Sequence, residues 1–296
     1  NVAIDDLVYH DGSTMWGVPG GGAIYAALGM ALWSGAAAVV APVGPEYPRD
    51  RFPTLDFSRA RTAAHTMRNW GLYEADGTRH FLSRRDSLPW EAFSSNAADL
   101  GAGPYAACHL APMPWTHVVA LIDALRARGA MVISLDLHDR VLATVPPAEL
   151  TRVLERVDLF FPSRQDTDVL YPGASPAAAL RMLRDRLPRV PVLGVKCGAD
   201  GALVHAAGRR DAVTVPSAAL DVVDATGAGD AFCGGFLAAY VRTGDVAEGA
   251  LHGTVAASYA LADVGPAALA TVARSDAEAR LRAMGVRLGR VPLAGS

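Results

Sequence analysis

Beyond residue 100 the chain alternates short apolar runs with segments whose apolar residues recur at a helical period. Residues 130–135 (AMVISL), 157–161 (VDLFF), 190–195 and 201–205 are such runs. Each has the length and apolarity of a strand covered on both faces. Between the runs, residues 115–128 set Val118, Leu121, Ile122 and Leu125 at i, i+3, i+4 and i+7, one face of a helix. This alternation predicts an α/β fold: a doubly wound, mostly parallel sheet flanked by helices. Ligands of such sheets collect beyond the carboxyl ends of the strands, which puts Asp136, Ser163 and Lys196 on one rim.

Residues 68–95 break the pattern. They mix charge with the aromatics Trp70, Tyr73, Phe81 and Trp90 around an Asp76-Gly77 turn, and predict an antiparallel hairpin outside the main sheet. Together with residues 1–18 the hairpin forms a small antiparallel β lid on one domain spanning 1–296. The stretch Gly12 to Pro45 carries no charge and is long enough to raise a membrane span. Gly20, Gly21, Gly22, Gly29, Gly35 and abundant alanine favour a buried helix followed by a buried strand instead. No basic segment precedes it, so a signal peptide is not expected.

Composition narrows the chemistry. The chain has 296 residues, 51% apolar, with 27 basic against 30 acidic side chains and a net charge of −3. Disorder is excluded, and no basic patch points to nucleic acid or an anionic membrane, which leaves small-molecule chemistry. Cys108, Cys197 and Cys233 are odd in number and lack a CxxC pair, as suits packing in a reducing cytoplasm. The eight histidines show no metal-ligand spacing. Lys196 is the sole lysine, and no GxxxxGK[ST] occurs, so a P-loop is excluded.

The most informative stretch is VVDATGAGDAFCGGFLAAYV, residues 222–241. Phe232, Phe236 and Tyr240 recur at i, i+4 and i+8, so its second half is helical and Gly227, Ala228 and Gly229 fall at the helix entrance. Unpaired N–H groups and the positive dipole end favour an anion there, and small residues let a phosphoryl group approach. Asp230 follows in the first turn, placed to deprotonate a hydroxyl that attacks that phosphoryl group. Spacing alone also leaves open a plain helix start with an acidic cap, the commoner reading of such a pattern.

The longer string DATGAGDAFCGGF resembles the signature of the ribokinase (PfkB) family of carbohydrate and nucleoside kinases, through Asp224, Thr226, Gly227, Ala228, Gly229, Asp230, Ala231 and Phe232. The resemblance implies a ribokinase-like fold and an ATP- and Mg2+-dependent kinase acting on a hydroxymethyl group. Asp230 would be the base and the Gly227–Gly229 loop the phosphoryl cradle. A second stretch, residues 21–35, looks like the family's N-terminal glycine motif and implies that Gly21, Gly22 and Tyr25 border the substrate; Ala26 stands where the family's Asn falls. Asp5 aligns with a family Asp that bonds substrate hydroxyls, with Asp6 as the competing register.

Along the rim, LDLHDR (135–140) resembles the family's DPNxR strand end, implying Arg140 near substrate or phosphate and placing His138 where Asn is common. FPSRQDTDVL (161–170) takes the place of PNxxE, implying Ser163 beside the nucleotide and Asp166 holding Mg2+ through water, with Asp168 as fallback. VKCGADGALV (195–204) resembles the turn beside the nucleotide phosphates, implying Lys196 and Gly198 there, although a surface lysine is equally open. Thr226 is expected on the nucleotide, Ser258 near adenine, and Asp224 beside a monovalent cation such as K+.

The expected activity is therefore phosphorylation of a sugar or related polyol in the cytoplasm. Two alternatives stay open: a nucleoside kinase whose Trp16, Trp70, Tyr73 or Phe81 stacks on a base, and a non-catalytic ligand-binding relative. A homodimer paired through lid strands also stays open.

Overall fold

A computed structural model describes residues 1–75, 79–84, 88–284 and 287–293; the Asp76-Gly77 turn lies outside the described residues. The chain opens with an antiparallel hairpin of β1 (Ala3–Tyr9) and β2 (Thr14–Gly20), followed by helix α1 (Gly22–Ser34). Two pairs of two-residue strands follow, β3 (Ala37–Ala38) beside β5 (Leu55–Asp56) and β4 (Pro42–Val43) beside β6 (Arg61–Thr62). A second antiparallel hairpin, β7 (Met67–Tyr73) and β8 (Arg79–Arg84), lies beside the first. The hairpins join through β1 and β7, which are parallel because the crossover between them contains α1. The result is a four-stranded sheet, β2-β1-β7-β8, with no ladder to the main sheet among the described residues.

The main sheet begins with β9 (Ala107–Leu110), α2 (Trp115–Ala127) and β10 (Val132–Leu135). Helices α3 (Asp139–Thr144) and α4 (Pro147–Leu154) lead to β11 (Leu159–Phe160), and α5 (Arg164–Leu170) and α6 (Pro176–Arg186) to β12 (Val192–Lys196). Strands β9 to β12 are parallel; β13 (Ala202–Ala206), β14 (Asp211–Val215) and the late β15 (Gly289–Pro292) extend the sheet antiparallel. Helices α7 (Ala228–Thr243), α8 (Val246–Ala260), α9 (Ala267–Thr271) and α10 (Arg274–Met284) come between β14 and β15.

Both faces of this sheet are covered, as the apolar runs require. Ile133, Leu135, Phe160, Leu193 and Val195 pack with α2, α4 and α6, whereas Leu159, Phe161, Val192 and Val204 pack with α7 and α8. Adjacent Phe160 and Phe161 thus serve opposite layers. Phe161 meets Phe236 at a ring-centroid distance of 4.6 Å and Phe232 at 5.7 Å, which docks the predicted aromatic row of α7 on the sheet. On its other side α7 meets α1 backbone to backbone: a side chain at Gly29 would strike the carbonyl of Ala231, and one at Gly234 the carbonyl of Ala26. The middle of the uncharged early stretch is therefore a helix packed closely on α7. Among the described residues no helix is long and apolar enough to cross a membrane.

Candidate active site

The start of α7 separates two cavities. Gly227 caps the helix with φ 75°, and the space its side chain would need is filled by the ring of Tyr25. Only glycine meets both demands, the left-handed backbone and the bare surface. The turn sends Ala228 and Gly229 to the wall of a cavity of about 950 Å³, while Gly227 and Asp230 face one of about 330 Å³. The N–H groups of the first turn have no partners within the helix, so the dipole end lies where the cavities meet.

Asp230 Oδ1 is buried and makes no hydrogen bond among the described residues. Gly22, at the start of α1, leaves it room: a Cβ there would lie 2.7 Å from Oδ1. Burial pushes the Asp230 carboxyl above its usual range, and the Lys196 ammonium opposes that push. Lys196, the last residue of β12, has only 12% of its side chain exposed and is ion-paired to Asp136. Its Nζ would be 3.2 Å from a Cβ on Gly229, so the charge borders the anion cradle. Burial is the largest single influence and pulls the lysine pKa down, but the attractions of Asp136, Cys233 and Asp230 together outweigh it and push the ammonium above its ordinary range.

The smaller cavity has a polar and an aromatic side. Asp5 is buried and accepts a hydrogen bond from Asn69 Nδ2 at 2.7 Å; burial raises its pKa to about 6, with Asp224 and Asp6 adding to the rise. Phe81, Trp90, Met67 and His138 form the apolar wall, and Arg140 stands at the rim. The larger cavity is lined by Ser163, Gly198, Gly201 and Lys196 together with the apolar Val222, Ala257 and Leu261. A cavity that ends on a helix N-terminus with a buried ammonium suits a polyphosphate, and a neighbouring cavity that ends on a carboxylate with one unpartnered oxygen suits an alcohol.

The profile of the pfkB family carbohydrate kinases matches residues 66–272. The chain belongs to that family. It is a kinase, transferring phosphoryl groups to a sugar or nucleoside hydroxyl. A cytidine kinase of Thermococcus kodakarensis is 25% identical over 256 residues, covering 82% of this chain and 87% of the relative. The 2-dehydro-3-deoxygluconokinase of Escherichia coli K12 is 32% identical over 155 residues, covering 50% of this chain and 49% of its own length. Among solved structures, an E. coli chain provisionally named ribokinase II, in complex with ATP and Mg2+, superposes with a TM-score of 0.74 at 19% identity, over 96% of this chain and 97% of that one.

Within this pfkB kinase most of the expected residues line one of the two cavities. Asp5, not Asp6, faces the smaller cavity; Asp6 is held on the opposite face of the sheet by Arg68, Arg84 and the backbone N–H of Gly17. Gly21 and Gly22 border the cavity, but their bareness serves the chain itself: Gly21 (φ 98°) accommodates the backbone of residues 1–3, and Gly22 accommodates Asp230. Thr226 was expected on the nucleotide, yet it lines the smaller cavity, because the left-handed turn at Gly227 reverses the chain after it.

Ser258 reaches the larger cavity with its hydroxyl already engaged, donating to the Val255 carbonyl at 2.7 Å and accepting from Arg280 at 2.8 Å. Adenine would find no donor there. Asp166 is turned into a capping box, its Oδ2 accepting from the Ser163 hydroxyl at 2.6 Å and the Ser163 N–H at 2.7 Å. Its Oδ1 makes no hydrogen bond among the described residues, while Asp168 lines the cavity wall. Asp224 Oδ1 accepts from Thr226 N at 2.9 Å and closes the loop before the cradle.

Of the aromatics considered for base stacking, only Phe81 lines the smaller cavity. Trp16 and Trp70 pack edge to face on the outer side of the four-stranded sheet, with Arg84 over Trp70. The Tyr73 hydroxyl meets Thr226 Oγ1 at 3.3 Å. Asn69 and Trp90 were given no binding role from sequence, because they lie in the hairpin segment outside any motif, and His138 was noted only as standing where Asn is common.

Proposed function

We propose that this kinase transfers the γ-phosphoryl group of ATP to the hydroxymethyl group of a nucleoside. The observation that carries the reading is the two-sided smaller cavity ending at Asp230. Asp5 and Asn69 offer an acceptor and donors suited to the vicinal hydroxyls of a ribose, while Phe81 and Trp90 offer flat apolar surface to a base. The wide coverage of the cytidine kinase match supports the same choice.

In the reaction, Asp230 Oδ1 accepts the proton of the alcohol as the alcohol oxygen bonds to the γ-phosphorus. The bond from that phosphorus to the bridging oxygen breaks, and ADP leaves. The cradle N–H groups and Lys196 hold the phosphate oxygens, and Tyr25 supports the turn that presents them. Mg2+ supplies charge neutralisation on the phosphates. The free oxygen of Asp166 fits a water-mediated hold on such an ion, with Asp168 as the alternative. Asp224 would lie beside a monovalent cation, a role that comparing turnover in K+ and in tetramethylammonium tests. The four-stranded sheet acts as the lid that excludes water.

A second reading is a sugar acid as acceptor. It draws on Arg140, an exposed guanidinium at the cavity rim whose side chain has no partner among the described residues. Coupled ADP release across nucleosides, neutral sugars and sugar acids separates the two. Turnover on nucleosides with a preference of about tenfold or more in kcat/KM over sugars supports the proposal. Turnover confined to sugar acids replaces it.

A further inference from the structure

The ion pair behind the cradle has a feature that neither catalysis nor folding alone requires. Asp136 follows β10 and Lys196 ends β12, so the two come from strands separated by β11. The Asp136 backbone N–H is bonded to the Leu110 carbonyl at 3.0 Å, and its Oδ1 accepts from the Leu137 N–H at 3.0 Å, which fixes the carboxylate. Its Oδ2 accepts from Lys196 Nζ. The two side chains are only 7% and 12% exposed.

Asp136 lines neither cavity, so it touches neither substrate. Lys196 lines the larger cavity beside Gly229. An ammonium has three donors, and one is spent on Asp136. The others are free to meet an anion at the entrance of α7. A lysine stem is flexible and places its charge poorly unless something anchors it. A buried ammonium also needs a counter-charge while no phosphate is present.

We infer that Asp136 is a positioning residue for the phosphoryl donor: it anchors the Lys196 ammonium against the cradle, so that the polyphosphate meets a charge already in place. The inference rests on reading the larger cavity as the nucleotide site. Asp136 thereby acts on donor binding and leaves acceptor binding and proton transfer to Asp5 and Asp230.

The single lysine makes the test direct. Protein labelled with 13C at lysine Cε carries one ε-CH2 signal in its NMR spectrum, that of Lys196. Four proteins are compared: wild type, Asp136→Asn, Lys196→Met and Asp136→Asn/Lys196→Met. The expected results are a shift of the wild-type signal on adding AMP-PNP with Mg2+ and a displaced signal in nucleotide-free Asp136→Asn. That variant should also show a KM for ATP raised about tenfold, kcat within about threefold, and an unchanged KM for the acceptor. The double variant should match Lys196→Met, because Asp136 acts only through the lysine.

The inference is overturned by an Asp136→Asn protein that keeps both the wild-type signal and the wild-type KM for ATP. It is equally overturned by a double variant whose loss exceeds that of Lys196→Met. Should Asp136→Asn not fold, the double variant, which removes both charges together, decides by the same comparison. A wild-type signal indifferent to AMP-PNP overturns the nucleotide reading itself. A responsive wild-type signal with an unaltered Asp136→Asn removes only the role of Asp136.

Discussion

A methyl group at position 227 would enter the ring of Tyr25 on a backbone at φ 75°. The left-handed conformation alone costs a non-glycine residue about 1–2 kcal/mol, and the collision adds to it. Gly227→Ala is therefore expected to lower the melting temperature and to reduce turnover more than about 10²-fold, because the cradle cannot form as built. Adding Tyr25→Ala should recover part of the melting temperature, and thermal unfolding of the single and double variants checks this.

Asp5 makes the opposite bargain with stability. Its pKa is about 6 in the folded protein against 3.8 for the free side chain, mainly through burial, so the folded state holds the proton more tightly than the unfolded one. Stability thus falls as pH rises between those values, and the full cost is present above them, about 3 kcal/mol at most. Asp5→Asn should melt above the wild type at about pH 8, converge with it near about pH 4, and raise the KM for the acceptor. Equal melting temperatures at the higher pH would remove the burial cost assigned to Asp5.

At the scale of elements, strand β7 is tied to the cradle loop through the Tyr73 hydroxyl and Thr226. Tyr73→Phe removes the hydrogen bond to Thr226, whose loss should cost about 0.5–1.5 kcal/mol of stability. If the four-stranded sheet closes over the acceptor, the same change should also speed ATP hydrolysis in the absence of acceptor. A phosphate-release assay measures that, and an unchanged hydrolysis rate argues that this contact does not control closure.

Elements were also what the sequence made most legible. The apolar runs marked β10 to β13, the aromatic row marked α7, and the small residues before it marked the helix entrance, because periodicity and helix-start chemistry are local. The side of the turn each residue faces was not local. Thr226 faces the smaller cavity because one left-handed residue decides it, and the Ser258 hydroxyl, though in the larger cavity, is engaged by Arg280, which is distant in sequence. Lys196 could be read as a surface residue until Asp136, 60 positions away, was seen to hold it. The wall of the smaller cavity drew Asn69, Phe81 and Trp90 from the hairpin segment and His138 from beyond β10, and no spacing connects them.

For the whole molecule, the main consequence of the fold is that α1, α7 and the end of β12 converge on one carboxylate. Glycines at 29 and 234 bring α1 and α7 together, Gly22 admits Asp230, and Lys196 tempers the rise that burial imposes on its pKa. Because only the ionised form accepts a proton, the rate should fall on the acid side at a pH above the ordinary carboxylate range. The most direct measurement is the turnover of Asp230→Asn with its best acceptor, alongside nucleotide and acceptor binding by calorimetry. A base at this position predicts that both ligands still bind while kcat falls by about 10² to 10⁴. Turnover close to that of the wild type would contradict it and leave Asp230 as no more than a residue of the helix entrance.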